Sequence, residues 1–124
     1  MRKKGDQGEE IASRYLRDKG YEILERNWRG KKNYRSPEID IIARKNDTLV
    51  FVEVKTSSSS KFGAPQEWIT PQKRRRIAAG ANSYLASTNQ AIVNCRFDAI
   101  AIDRLARPPK INHIENAFML SDFE

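Results

Sequence analysis

Four charged side chains stand at spacings that could do chemistry within EIDIIARKNDTLVFVEVK, residues 38–55: Glu38, Asp40, Glu53 and Lys55. The stretch reads as a β-hairpin, with limbs 38–43 and 49–55 turned by Lys45-Asn46-Asp47. Side chains on a strand alternate faces, so Glu53 and Lys55 share one face of the second limb and Glu38 and Asp40 share one of the first. A tight hairpin brings Asp40 close to Glu53 and Lys55. Unpaired charges on an otherwise apolar strand are costly, and clustered carboxylates repel one another unless a cation stands between them. A hard divalent ion such as Mg²⁺ or Mn²⁺ suits all-oxygen ligands. Lysine suits the remaining role, as a compact charge that holds an attacking water or a developing phosphoryl charge. A lone Glu-x-Lys is ordinarily a cross-strand pair at a solvated strand end. The acid on the neighbouring limb is what singles this one out.

An acid on one strand followed by Glu-x-Lys on the next resembles the PD-(D/E)XK nuclease superfamily, with Ile39 rather than Pro before Asp40. More narrowly, the chain resembles the YraN family of bacterial proteins, predicted endonucleases akin to archaeal Holliday-junction resolvases. The resemblance covers nearly the whole chain, through GEEIASRYLRDKGYEILERNWR, EIDIIA, LVFVEVKT, FGAPQEWITPQKRRRI, ANSYL and RFDAIAID. Pro37 stands where the family usually has Gly, and Ser57 where it often has Arg. Neither position is one of the family's ligands.

The resemblance implies a metal-dependent endonuclease that hydrolyses DNA phosphodiester bonds, on branched or recombination and repair intermediates. Asp40 and Glu53 would hold Mg²⁺ or Mn²⁺, aided by the Val54 carbonyl and by Glu9 through water. Lys55 would orient the water and stabilise charge on the scissile phosphate, with Glu38 as a reserve ligand. Resolvase-like nucleases place an acid on the first helix, and helical geometry chooses between two here. At 100° per residue Glu9 lines up with Ala12 and Leu16 beside the buried face, whereas Glu10 points away and can pair with Arg14. The reading from another class is a nucleic-acid-binding module that uses the same fold without cleavage.

The elements that must position these residues follow from local pattern. A helix is expected from Asp6 to Lys19, with Ile11, Ala12, Tyr15 and Leu16 inward and Gly20 as its stop. Residues 21–28 read as a first strand, then the hairpin, then a flexible loop from Ser57 to Pro65. Thr70-Pro71 is a helix start, a Thr N-cap with Pro in the first turn, and that helix runs to about Ala86. Residues 95–103 alternate as a fourth strand, and 111–114 suggest a short edge strand. The order α-β-β-β-α-β implies an α/β fold, a mixed sheet flanked by helices as in restriction endonucleases, in one domain over 1–124.

The 124 residues carry a net charge of +7, which favours a polyanionic partner and makes nucleic acid, DNA first, the expectation. Two basic clusters could contact phosphates. One is Lys73, Arg74, Arg75 and Arg76, in the first turns of the second helix, where cations are disfavoured unless an anion binds beside them. The other is the loop of Arg29, Lys31, Lys32 and Arg35, with Trp28 and Tyr34 nearby for stacking or for the core. A second copy of the chain, as a homodimer, is the other partner considered. His113 is the only histidine and Cys95 the only cysteine, which excludes zinc-finger spacing, an intrachain disulfide and a serine triad. Cys95 is expected to be a small core hydrophobe. No apolar run approaches membrane-spanning length, and the expected location is cytoplasmic.

Overall fold

The computed structural model describes residues 4–30, 39–58, 63–88 and 94–119. Glu38, Lys31, Lys32, Tyr34 and Arg35 lie outside the described residues. The elements run α1 (Lys4–Asp18), β1 (Glu22–Trp28), β2 (Ile39–Lys45), β3 (Thr48–Ser57), α2 (Pro65–Trp68), α3 (Pro71–Thr88), β4 (Asn94–Asp103) and β5 (Lys110–Phe118). The sheet order is β1-β2-β3-β4-β5. Every pairing is antiparallel except β3 with β4, whose parallel arrangement requires the crossover that α2 and α3 supply. This is a five-stranded mixed sheet flanked by two helices, a restriction-endonuclease-like α/β fold.

Period-two alternation gives the sheet two apolar faces. Ile41, Ala43, Val50, Val52, Ile100 and Ile102 face α1, where Ala12 and Leu16 meet them. Ile42, Leu49, Phe51, Phe97 and Ala99 face α3, where Ile77, Ala81 and Tyr84 meet them. Each fully buried Leu, Ile, Val or Phe contributes about 1.5–3 kcal/mol relative to exposure, so these two layers fix the sheet between the helices. Trp28 belongs to the α3 side, edge-on to Tyr84 at 5.4 Å, and Trp68 packs against the same layer.

Local chemistry sets the boundaries. Gly20 takes φ +94 just past α1, and its N–H and that of Tyr21 donate back to Arg17 and Leu16 carbonyls at 3.0 and 2.9 Å. Asn46, with φ 56, makes the two-residue turn that sets Lys45 opposite Thr48. Thr70 Oγ1 accepts the Lys73 N–H at 3.2 Å and caps α3.

Three local expectations change. The four-residue α2 begins at Pro65, the last residue of the expected loop, and fills a stretch given no element, because Ala64 accepts the Glu67 N–H at 2.9 Å and closes a turn. β5 extends to Phe118 instead of ending near 114, because Phe118 stacks on Phe97 at 4.7 Å and anchors the strand's end. Cys95 is exposed rather than buried. It lies one residue into β4, before the stacked aromatic layer begins at Phe97.

Candidate active site

The β2–β3 ladder ends with Ile41 opposite Val52, and Asp40 and Glu53 are the next residues on the two strands, near enough for Glu53 to act on the Asp40 carboxyl. Glu53 continues the row of Leu49 and Phe51 on the α3 side and is buried. The Val54 N–H donates to Asp40 Oδ2 at 2.8 Å, which fixes that carboxylate against β3. Burial, then the neighbouring Glu53, then Glu9 push the Asp40 carboxyl well above the usual range, against the opposing pull of the Val54 N–H and the Lys73 ammonium. Glu9 is buried. Its position near the strands follows from Gly8: a Cβ on Gly8 would fall on the Thr56 hydroxyl, so glycine lets the first turns of α1 press against β3.

Glu10 faces differently, bonded to Arg26 at 2.8 Å and within 3.8 Å of Arg14. Arg26 therefore belongs to a helix–strand ion pair. Lys55 shares strand parity with Glu53 but is exposed. The cation that meets Glu53 is Lys73, whose Nζ lies 2.6 Å from Glu53 Oε2.

The remaining members of that basic cluster divide. Arg74 is half-buried and its Nε donates to the Ile69 carbonyl at 3.0 Å, whereas Arg75 and Arg76 are exposed. Arg29 is exposed, at the end of β1. A cavity of about 340 Å³ on the α1 side is lined by Gln7, Glu10, Ile11, Arg104, Leu105 and Arg107. Its two arginines come from the β4–β5 turn, outside both basic clusters legible as runs in the sequence.

The carboxylates suit a hard cation in their chemistry, being oxygen donors close enough to disfavour joint ionisation. Among the described residues, no three His, Cys, Asp or Glu side chains form a ready-made metal cage.

A second polar cluster lies on the opposite face and was not anticipated. Asp98 is fully buried. Arg96 grips it through Nε and Nη2, each at 2.9 Å. His113 Nε2 is 2.7 Å from its Oδ2, and the Asn116 N–H donates to Oδ1 at 3.1 Å. Asn116 reaches it from a break in the β4–β5 register, with φ 54. Arg96 also donates to the Tyr21 hydroxyl at 2.7 Å, and Tyr15 O–H meets His113 Nδ1 at 3.1 Å. Burial alone would raise the Asp98 carboxyl, but the His113, Arg96 and Asn116 bonds outweigh it and hold it below its ordinary value. The signal was available: Arg96 and Asp98 are charged residues two apart on an apolar strand, the same pattern as Glu53 and Lys55.

Relatives share this chain along most of its length. A UPF0102 protein of Syntrophomonas wolfei is 46% identical over 111 residues, covering 90% of this chain and 93% of that one. One from Chlorobaculum tepidum is 44% identical over 124 residues, covering 95% and 93%. One from Alkaliphilus oremlandii is 47% identical over 121 residues, covering 95% and 100%. The family model of these proteins matches residues 8–102, from the glycine that seats α1 on β3 to the penultimate residue of β4, so the chain belongs to the uncharacterised protein family UPF0102.

Proposed function

We propose that the chain is a divalent-metal-dependent endonuclease acting on DNA. The observation that carries this reading is the closeness of Asp40 and Glu53, each one residue beyond the end of the β2–β3 ladder, where burial and the neighbouring Glu53 push the Asp40 carboxyl up. Asp40 and Glu53 hold Mg²⁺ or Mn²⁺, with Glu9 behind them and the Val54 carbonyl as a further oxygen donor. The metal supplies Lewis-acid polarisation of the phosphate and a more acidic bound water. The Val54 N–H keeps Asp40 facing β3. Lys55, exposed beside the pair, meets the scissile phosphate and stabilises the charge that develops on it. Arg75 and Arg76 contact flanking phosphates.

The test is Mn²⁺ calorimetry on wild type and Asp40→Asn, beside cleavage of branched, nicked and linear DNA in Mg²⁺ and Mn²⁺. Asp40→Asn keeps an oxygen to accept the Val54 N–H but loses the charge, so Mn²⁺ binding should be abolished or greatly weakened. Stability should move the other way. A carboxyl whose folded value is raised favours folding below its unfolded value near 3.9, and that contribution is lost as pH rises through the raised value. At pH 7.5 in chelator, the variant should therefore melt above wild type. About 1 kcal/mol would shift Tm by roughly 3–5 °C in a domain of this length. Unchanged Mn²⁺ affinity would assign the two acids another purpose.

The basic helix makes a separate prediction. Neutralising Arg75 and Arg76 together should weaken DNA binding regardless of sequence, and should flatten its log–log salt dependence by about 2 through lost counterion release. Arg74→Gln should change the slope little, because its guanidinium is already engaged with Ile69. An unchanged slope in the double variant removes α3 from the phosphate-binding surface. If wild type binds DNA but cuts no substrate with either metal, the binding-module reading takes over.

A further inference from the structure

Lys73 occupies a position that neither the basic-cluster reading nor the carboxylate reading explains alone. It lies in the first turn of α3, where the helix dipole disfavours a cation unless an anion is close. Its backbone is held by the Thr70 cap, and the adjoining turn by Arg74 on Ile69. Its side chain crosses to the sheet and places Nζ 2.6 Å from Glu53 Oε2. The Glu53 side chain is only 7% exposed, whereas that of Lys73 is 35% exposed. The carboxylate is therefore enclosed by the protein, and the ammonium reaches it from the half-exposed rim. Replacing the ammonium by solvent alone would leave a buried carboxylate without a counter-charge beside a second acid, which is costly.

We propose that Lys73 is the resident counter-ion of the carboxylate pair, exchanged for a divalent cation when one binds and then handed to a backbone phosphate of the nucleic acid. This rests on the nuclease reading above and adds a linkage to it. The same ammonium serves Glu53 in the free protein and a phosphate in the complex, so cation and DNA each favour the other's binding. By thermodynamic reciprocity the two effects are equal in size. Arg75 and Arg76, exposed on the same helix, bring a phosphate within reach of the released side chain.

The experiment is Mn²⁺ calorimetry with and without a short DNA duplex, in a Lys55→Ala background to suppress cleavage, comparing Lys73 with Lys73→Met. Arg17→Gln, an exposed site on α1, controls for the loss of one positive charge anywhere on the molecule. Without DNA, Lys73→Met should bind Mn²⁺ about fivefold more tightly than its parent, at the low end of ordinary coupling between sites. Arg17→Gln should stay within about twofold, as expected for a screened distant charge. The gain in Mn²⁺ affinity on adding DNA should shrink in Lys73→Met by the same factor, which a purely structural ion pair would not produce. Lys73→Gln carries the same comparison if the Met variant does not fold. Equal or weaker Mn²⁺ binding in both Lys73 variants, or an undiminished DNA effect, overturns the exchange while leaving the nuclease reading standing. Absence of Mn²⁺ binding in every protein overturns both.

Discussion

Lys55→Ala should lose DNA cleavage by about 10²–10³-fold, the cost of removing one group that stabilises transition-state charge, while keeping most of its affinity for DNA. The division follows from where Lys55 stands. It shares a strand face with Glu53 yet is exposed, so truncating it leaves no cavity and no buried orphan. Surface substitutions of this kind usually stay within about 0.5 kcal/mol of wild-type stability, so lost activity could not be blamed on lost fold. A thermal melt, a binding titration and a single-turnover cleavage assay on the same preparations give the three readouts. Wild-type cleavage by Lys55→Ala would remove the Glu-x-Lys lysine from the mechanism.

Asp98→Ala should be among the most destabilising single substitutions in the chain. Asp98 is completely buried and satisfies Arg96, His113 and the Asn116 N–H together. Removing one member of a buried charged network typically costs about 3–5 kcal/mol, because the remaining charge is left without its partner. That is a large part of the roughly 5–15 kcal/mol that holds a domain folded. A Tm lower by roughly 10–20 °C is expected for this length. The pH dependence has the sign opposite to that of Asp40. Because the Asp98 carboxyl is held below its ordinary value, its stabilisation is present above the unfolded value near 3.9 and is lost as pH falls through the folded one. The gap in Tm between wild type and Asp98→Ala should thus be full at pH 7 and narrow in acid. Asp98→Asn keeps the volume without the charge and should fall between them. A gap that does not narrow in acid would mean that lost packing, not lost charge, accounts for the variant.

Asp40 and Asp98 are both single acids in apolar strands, and local sequence treats them alike. Their surroundings separate them. Asp40 has one N–H donor and acidic neighbours, so its charge is penalised. Asp98 has an arginine fork, an imidazole and a backbone N–H, so its charge is already answered by the protein. The first arrangement suits binding chemistry and the second suits stability.

What the sequence by itself determined is what local periodicity and caps control. Alternation along 41–43 and 49–54 assigned the two faces of the hairpin, whereas Ile39 packs on the α3 side with Ile42 instead of with Ile41; Asn46 and Asp47 set its turn, Gly20 ended α1 and Thr70-Pro71 began α3. Helical spacing distinguished buried Glu9 from Glu10, and the motifs along the chain match its family. Only the tertiary structure decided which lysine meets Glu53, because Lys73 lies 20 residues further along the chain and arrives from the first turn of α3, which packs on the sheet. It also decided that Arg96, His113 and Asn116 converge on Asp98, since that convergence depends on a break in the β4–β5 register that no run of residue types announces. Period and capping are properties of neighbours in sequence, whereas the partner of a buried charge is set by packing between elements.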